Sequence, residues 1–111
     1  MTSPHHNQPP LEVWRLKAEK WAELDAHAFL LAEGKSSVLS EMINLLVSNG
    51  ASVASAEKEA RASEKFRDYL KKMGNARKQA NLARIDMDYH KEKLWESKNA
   101  EANARSERRM V

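Results

Sequence analysis

Few residues in this chain are of types that do chemistry, and their spacing argues against most of it. Asp86, Asp88 and His90 form a D-x-D-x-H string, and carboxylates beside an imidazole are metal-ligand types. On a helix Asp86 and His90 share a face, but Asp88 points about 200° away from Asp86. The three cannot close around one ion. Gly34-Lys35-Ser36-Ser37 ends like a phosphate-binding loop. Such a loop needs an earlier glycine where Phe29 stands, and a flexible turn after a strand. The pattern around it is helical instead. His5-His6 stands on a polar, Pro-containing lead that fixes no ligand geometry. The chain has no cysteine, hence no disulfide framework, thiol nucleophile or cysteine-ligated metal. The expectation is a non-enzymatic protein with no catalytic residue, no metal and no cofactor.

The remaining chemistry is charge. The net charge of +3 conceals an asymmetry: residues 1–50 carry four Lys/Arg against six Asp/Glu, and residues 51–111 carry fifteen against ten. The excess concentrates between Lys65 and Arg84, where Lys65, Arg67, Lys71, Lys72, Arg77, Lys78 and Arg84 meet one acid, Asp68. On a helix, Arg67, Lys71 and Lys78 point outward while the others flank the packed side. Such a surface can follow a phosphate backbone. The competing reading is a solvated face whose flanking cations pair with acids such as Asp25 and Glu41.

Two helices must present these residues. Small and apolar side chains at alternating spacings of four and three run through Ala62, Phe66, Tyr69, Met73, Ala76, Ala80, Ala83, Met87, His90 and Leu94. That is a heptad seam, which calls for a long helix packed along another. A second seam runs through Trp14, Trp21, Leu24, Ala28, Leu31, Val38, Met42 and Leu45. The first helix is expected over 10–48, with Pro10 in the first turn, where its missing N–H costs nothing. The turn is 49–51, because Gly50 can take a left-handed cap. Ser52 is a fitting N-cap for a second helix running to about residue 107. The architecture expected is all-α: an elongated, coiled-coil-like antiparallel hairpin, a single domain over 10–108 after a disordered lead at 1–9. Folding at Gly50 sets Trp21 against Ala80, Ala28 against Met73, Trp14 against Met87 and Leu11 against His90.

A two-helix hairpin buries only one stripe per helix, so its core is small. Apolar residues also lie off the seam: Leu39 and Leu46 beside it, and Leu82, Ile85 and Tyr89 on the outer side of the second helix. Leu94 and Trp95 fall where the second helix overhangs the first. Stripes on two faces call for another helix. A homodimer forming a helical bundle supplies it, with Leu39, Leu46, Leu82, Ile85, Tyr89, Leu94 and Trp95 as the interface. No apolar run approaches the ~18 residues needed to span a bilayer, so no membrane partner is expected.

Two stretches carry a resemblance. One is residues 20–39, from Lys20-Trp21-Ala22-Glu23 to Ser36-Ser37-Val38-Leu39. The other is Ala76-Arg77-Lys78-Gln79-Ala80-Asn81-Leu82-Ala83-Arg84 with the end that holds Trp95 and Arg105 to Met110. Together they resemble small helical accessory proteins encoded by tailed bacteriophages and prophages. That resemblance implies an accessory protein of the bacterial cytoplasm and nothing more; the basic surface of the second helix is what makes DNA or a DNA-processing protein the expected partner. The alternative is an inhibitor or adaptor that binds a host protein without nucleic acid. The chain lacks the Trp-x-Gly turn of the secreted helical hairpins, having no Trp two residues before Gly50.

Overall fold

The computed structural model describes residues 8–110, apart from the Met110 side chain. The expected lead therefore falls outside the described residues up to Asn7, and His5-His6 with it. Three helices follow in order: α1 Pro10–Ser48, α2 Val53–Ala62 and α3 Glu64–Met110. Among the described residues there is no strand. α1 begins where the Pro9 carbonyl accepts from the Val13 N–H at 3.1 Å, with Pro10 in the first helical position. Glu12 lies in that first turn, and Arg15 donates to its carboxylate and to Glu19.

The far end of α1 closes as the sequence demands. Gly50 takes φ +105, its N–H reaches the Val47 carbonyl at 3.0 Å, and the Ala51 N–H reaches Leu46 at 3.1 Å. This paired closure satisfies carbonyls that would otherwise be orphaned at the helix end. Ser52 then caps α2, its Oγ accepting from the Ser55 N–H at 3.2 Å.

The single second helix expected over 52–107 is a correction, because it is two helices. Ser63 is extended, at φ −69 and ψ 149. Its hydroxyl donates to the Ala60 carbonyl at 2.7 Å and accepts from the Phe66 N–H at 3.1 Å. One side chain thus ends α2 and caps α3. Glu64 in the first turn of α3 faces the positive end of the helix dipole. The interruption turns Ala62 out to solvent, while Ala56 and Ala60 are buried.

The chain forms two compact units, Leu24–Ala80 and the residues on either side of that span. In Leu24–Ala80, α1 and α3 run antiparallel. Tyr69 donates to the Leu31 carbonyl at 2.6 Å, and Arg77 binds Asp25 at 2.7 Å. Ala28, Ala56, Ala60, Phe66 and Ala80 are buried, and Met73, Ala76, Leu24, Val38 and Met42 are half-buried around them. Alanines at the tightest positions let the helix backbones approach closely. Leu45, expected on the seam, is 64% exposed, and Leu46 is turned in instead. A straight helix at 3.6 residues per turn drifts off a strict heptad, so the step from Met42 is four residues rather than three.

In the other unit, residues 8–23 lie antiparallel to residues 81–110. Lys17 binds Asp86 at 2.9 Å. Val13 is buried, and Trp14, Leu16, Trp21, Ala83, Met87, His90 and Leu94 are half-buried. After Leu94 only Ala104 is other than exposed among the described residues.

Candidate functional site

α3 presents the basic residues. Lys65, Arg67, Lys71, Lys72, Arg77 and Lys78 are all exposed on it in the Leu24–Ala80 unit. Two are engaged locally. Arg77 is held by Asp25, one of the acids expected to compete for it. Arg67 donates through Nη2 to the Ala62 carbonyl at 3.0 Å, which satisfies the end of α2. Lys65, Lys71, Lys72 and Lys78 have no carboxylate partner among the described residues, and Asp68 is the one acid among them. Lys71 and Lys78 stand one heptad apart, about 10.5 Å along the axis. Arg84, in the other unit, is also exposed.

The apolar candidates divide into two groups. Leu39 and Leu46 are half-buried. Leu46 lines an open groove of about 170 Å³ with Met42, Leu45, Ala60, Glu59 and Lys65. In the other unit Leu82, Ile85 and Tyr89 are 49%, 63% and 56% exposed, on the side of α3 away from half-buried Ala83, Met87 and His90. Tyr89 meets the His90 ring edge-on at 5.3 Å, and Lys93 Nζ lies 5.6 Å from its centroid. Leu94 is half-buried and Trp95 exposed. With Leu11, Trp14, Lys91 and Lys98 they line a groove of about 260 Å³.

Phe29 and Leu30, outside the expected interface, are 57% and 68% exposed on α1. Their signal was available: one and two residues past buried Ala28, they are rotated about 100° and 200° from the packed side.

The chemical strings resolve plainly. Asp86 lies between Lys17 and His90, whose Nε2 is 3.5 Å from Oδ1, and Asp88 is exposed apart from them. Among the described residues no three His, Cys, Asp or Glu side chains are placed to hold a metal ion. Gly34-Lys35-Ser36-Ser37 is continuous helix within α1, where backbone N–H groups bond along the helix rather than to a phosphate. No helix among the described residues is long and apolar enough to cross a membrane.

No family model matches the chain, and neither a curated protein nor a solved structure matches it.

Proposed function

We propose that this chain is a non-enzymatic accessory or adaptor protein that contacts DNA through the exposed basic surface of α3. The observation that carries the reading is the set of four lysines, Lys65, Lys71, Lys72 and Lys78, with no carboxylate partner among the described residues, on one stretch of helix with a single acid between them. Lysines with no carboxylate beside them need not break an ion pair to meet phosphates, and neutralising phosphates releases condensed counterions. On this reading the contact serves DNA metabolism in the cytoplasm of a bacterial host, the setting expected of a phage-type accessory protein.

Lys71→Glu/Lys78→Glu should abolish binding in a mobility shift with double- and single-stranded DNA while leaving helicity intact, because both side chains are exposed. Wild-type affinity should fall by about 0.9 log units per log unit of salt for each duplex phosphate contacted. Absence of binding to either probe at low salt would end this reading.

Self-association accompanies it. Among the described residues the buried set is four alanines, one valine and one phenylalanine, and a phenylalanine is worth about 1.5–3 kcal/mol when fully buried. So small a core, beside exposed Leu82, Ile85 and Tyr89, favours a helical-bundle dimer over an isolated chain. The same exposed trio supports a second reading, an adaptor for a host protein without nucleic acid. Light scattering separates the two uses of that face: a mass of twice 12.7 kDa favours the dimer, and a cooperatively melting monomer favours the adaptor.

A further inference from the structure

The groove between the start of α1 and the later part of α3 is built unlike the lysine surface of the other unit. Its walls are Leu11, Trp14, Leu94 and Trp95, and its two charges, Lys91 and Lys98, are both positive. The lysines are one heptad apart on α3, so they stand on the same face about 10.5 Å from each other. Neither has a carboxylate partner among the described residues, in contrast to Lys93, which pairs with Glu96 at 3.5 Å. Lys98 lies 5.9 Å from the Trp95 ring, a cation–π arrangement that holds its ammonium at the rim. Trp95 and Leu11 are 58% and 57% exposed. A bulky aromatic and a leucine, open to water between two unneutralised cations, have the composition of an interface anchor.

We infer that this groove docks an acidic peptide segment of a partner protein, an apolar side chain entering between Leu11 and Trp95 and flanking carboxylates meeting Lys91 and Lys98. The charge on the groove selects acids, and its leucine walls select an aliphatic or aromatic side chain. A nucleic-acid strand would use Trp95 as a stacking platform but would leave Leu11 and Leu94 facing its backbone. The site shares no residue with the α3 lysines of the DNA reading, so either can fail alone.

The test follows the three indole N–H signals of the full chain by NMR while acetyl-Asp-Glu-Leu-Phe-Glu-Asp-amide is added. Trp95 and Trp14 should shift, and Trp21, which does not line the groove, should serve as an internal reference. Trp95→Ala should weaken binding at least about tenfold, as loss of an anchor does, with helicity unchanged. Lys91→Gln/Lys98→Gln, which keeps both indoles, should also weaken it, and so should added salt. The Asn/Gln analogue of the peptide should bind less well than the acidic one. Four results would overturn the inference: no shift up to millimolar peptide, equal binding by the Asn/Gln analogue, displacement of the peptide from Trp95 by oligo-dT, or shifts reproduced by raising the protein concentration alone. The last would seat a second copy in the groove.

Discussion

The Tyr69 hydroxyl occupies space that only a glycine at position 34 leaves open. A Cβ on Gly34 would stand 2.9 Å from that oxygen, closer than real Cβ contacts allow. From there the hydroxyl donates to the Leu31 carbonyl at 2.6 Å, tying α3 to the backbone of α1. A glycine inside a helix ordinarily costs about 1 kcal/mol relative to alanine. Here that cost accompanies a half-buried hydrogen bond, worth about 0.5–1.5 kcal/mol net.

Gly34 and Gly74 should therefore answer alanine differently. Nothing lies within 4 Å of a Cβ at Gly74, so Gly74→Ala should stabilise by about 0.5–1 kcal/mol. Gly34→Ala should show no such gain, since the ring must move and its hydrogen bond weaken. Adding Tyr69→Phe removes the clashing oxygen, and the gain from Gly34→Ala should then return in that background. Denaturant melts of the four variants form a double-mutant cycle. Equal gains from Gly34→Ala with and without the hydroxyl would contradict the contact.

Ala80 tests the packing. It is fully buried on the packed side of α3. Ala80→Trp should destabilise by more than the about 1–3 kcal/mol typical of a few added methylenes. Thermal melts would show it as a large drop in midpoint or as loss of cooperativity. A melt like that of the parent would mean this part of α3 is not packed as described.

The start of α1 gives a pH signature. The hydrogen bond from Arg15 holds the Glu12 carboxyl below its ordinary value, and the nearby positive charge adds to the effect. Arg15 is raised in turn, first by the hydrogen bond to Glu12. A carboxyl lowered in the folded state contributes stability that is complete above its unfolded pKa, about 4.3. That contribution fades as pH falls through the lowered folded value. The arginine contribution runs the other way, lost only at alkaline pH above its unfolded value. A carbon-detected titration should find Glu12 below the usual glutamate range, and Arg15→Gln should bring it back up. An unchanged midpoint in Arg15→Gln would remove arginine as the cause.

The ends of α1 were legible because their signals are stereochemical: Pro10 suits a first turn, and Gly50 alone accommodates its positive φ. The seam from Phe66 to Leu94 was legible too, because Phe66, Tyr69 and Met73 on one side of its alanines and Met87, His90 and Leu94 on the other keep the heptad spacing. Ala62 misled for a different reason. Alanine sits comfortably on a buried or an exposed face, so a run of alanines continues a pattern across a break without marking it. Ser63 followed by Glu64 was the available sign, a capping residue before an acid in a first turn. Among the candidate cations, charge and spacing were plain, and Asp25 was an expected partner for a flanking cation; that it takes Arg77, and that a carbonyl holds Arg67, depends on neighbours that no one-dimensional pattern names.

The break at Ser63 also separates the phasing of α2 from that of α3. In an uninterrupted helix, one inserted residue rotates everything beyond it by about 100°, which would carry Phe66 and Ala80 out of the packed face together. With the chain extended at Ser63 and α3 capped afresh by its hydroxyl, a change of length in α2 reaches a point where backbone torsion can absorb it. The turn region can therefore vary in length independently of the long helix that follows, and α3 keeps its own frame of reference.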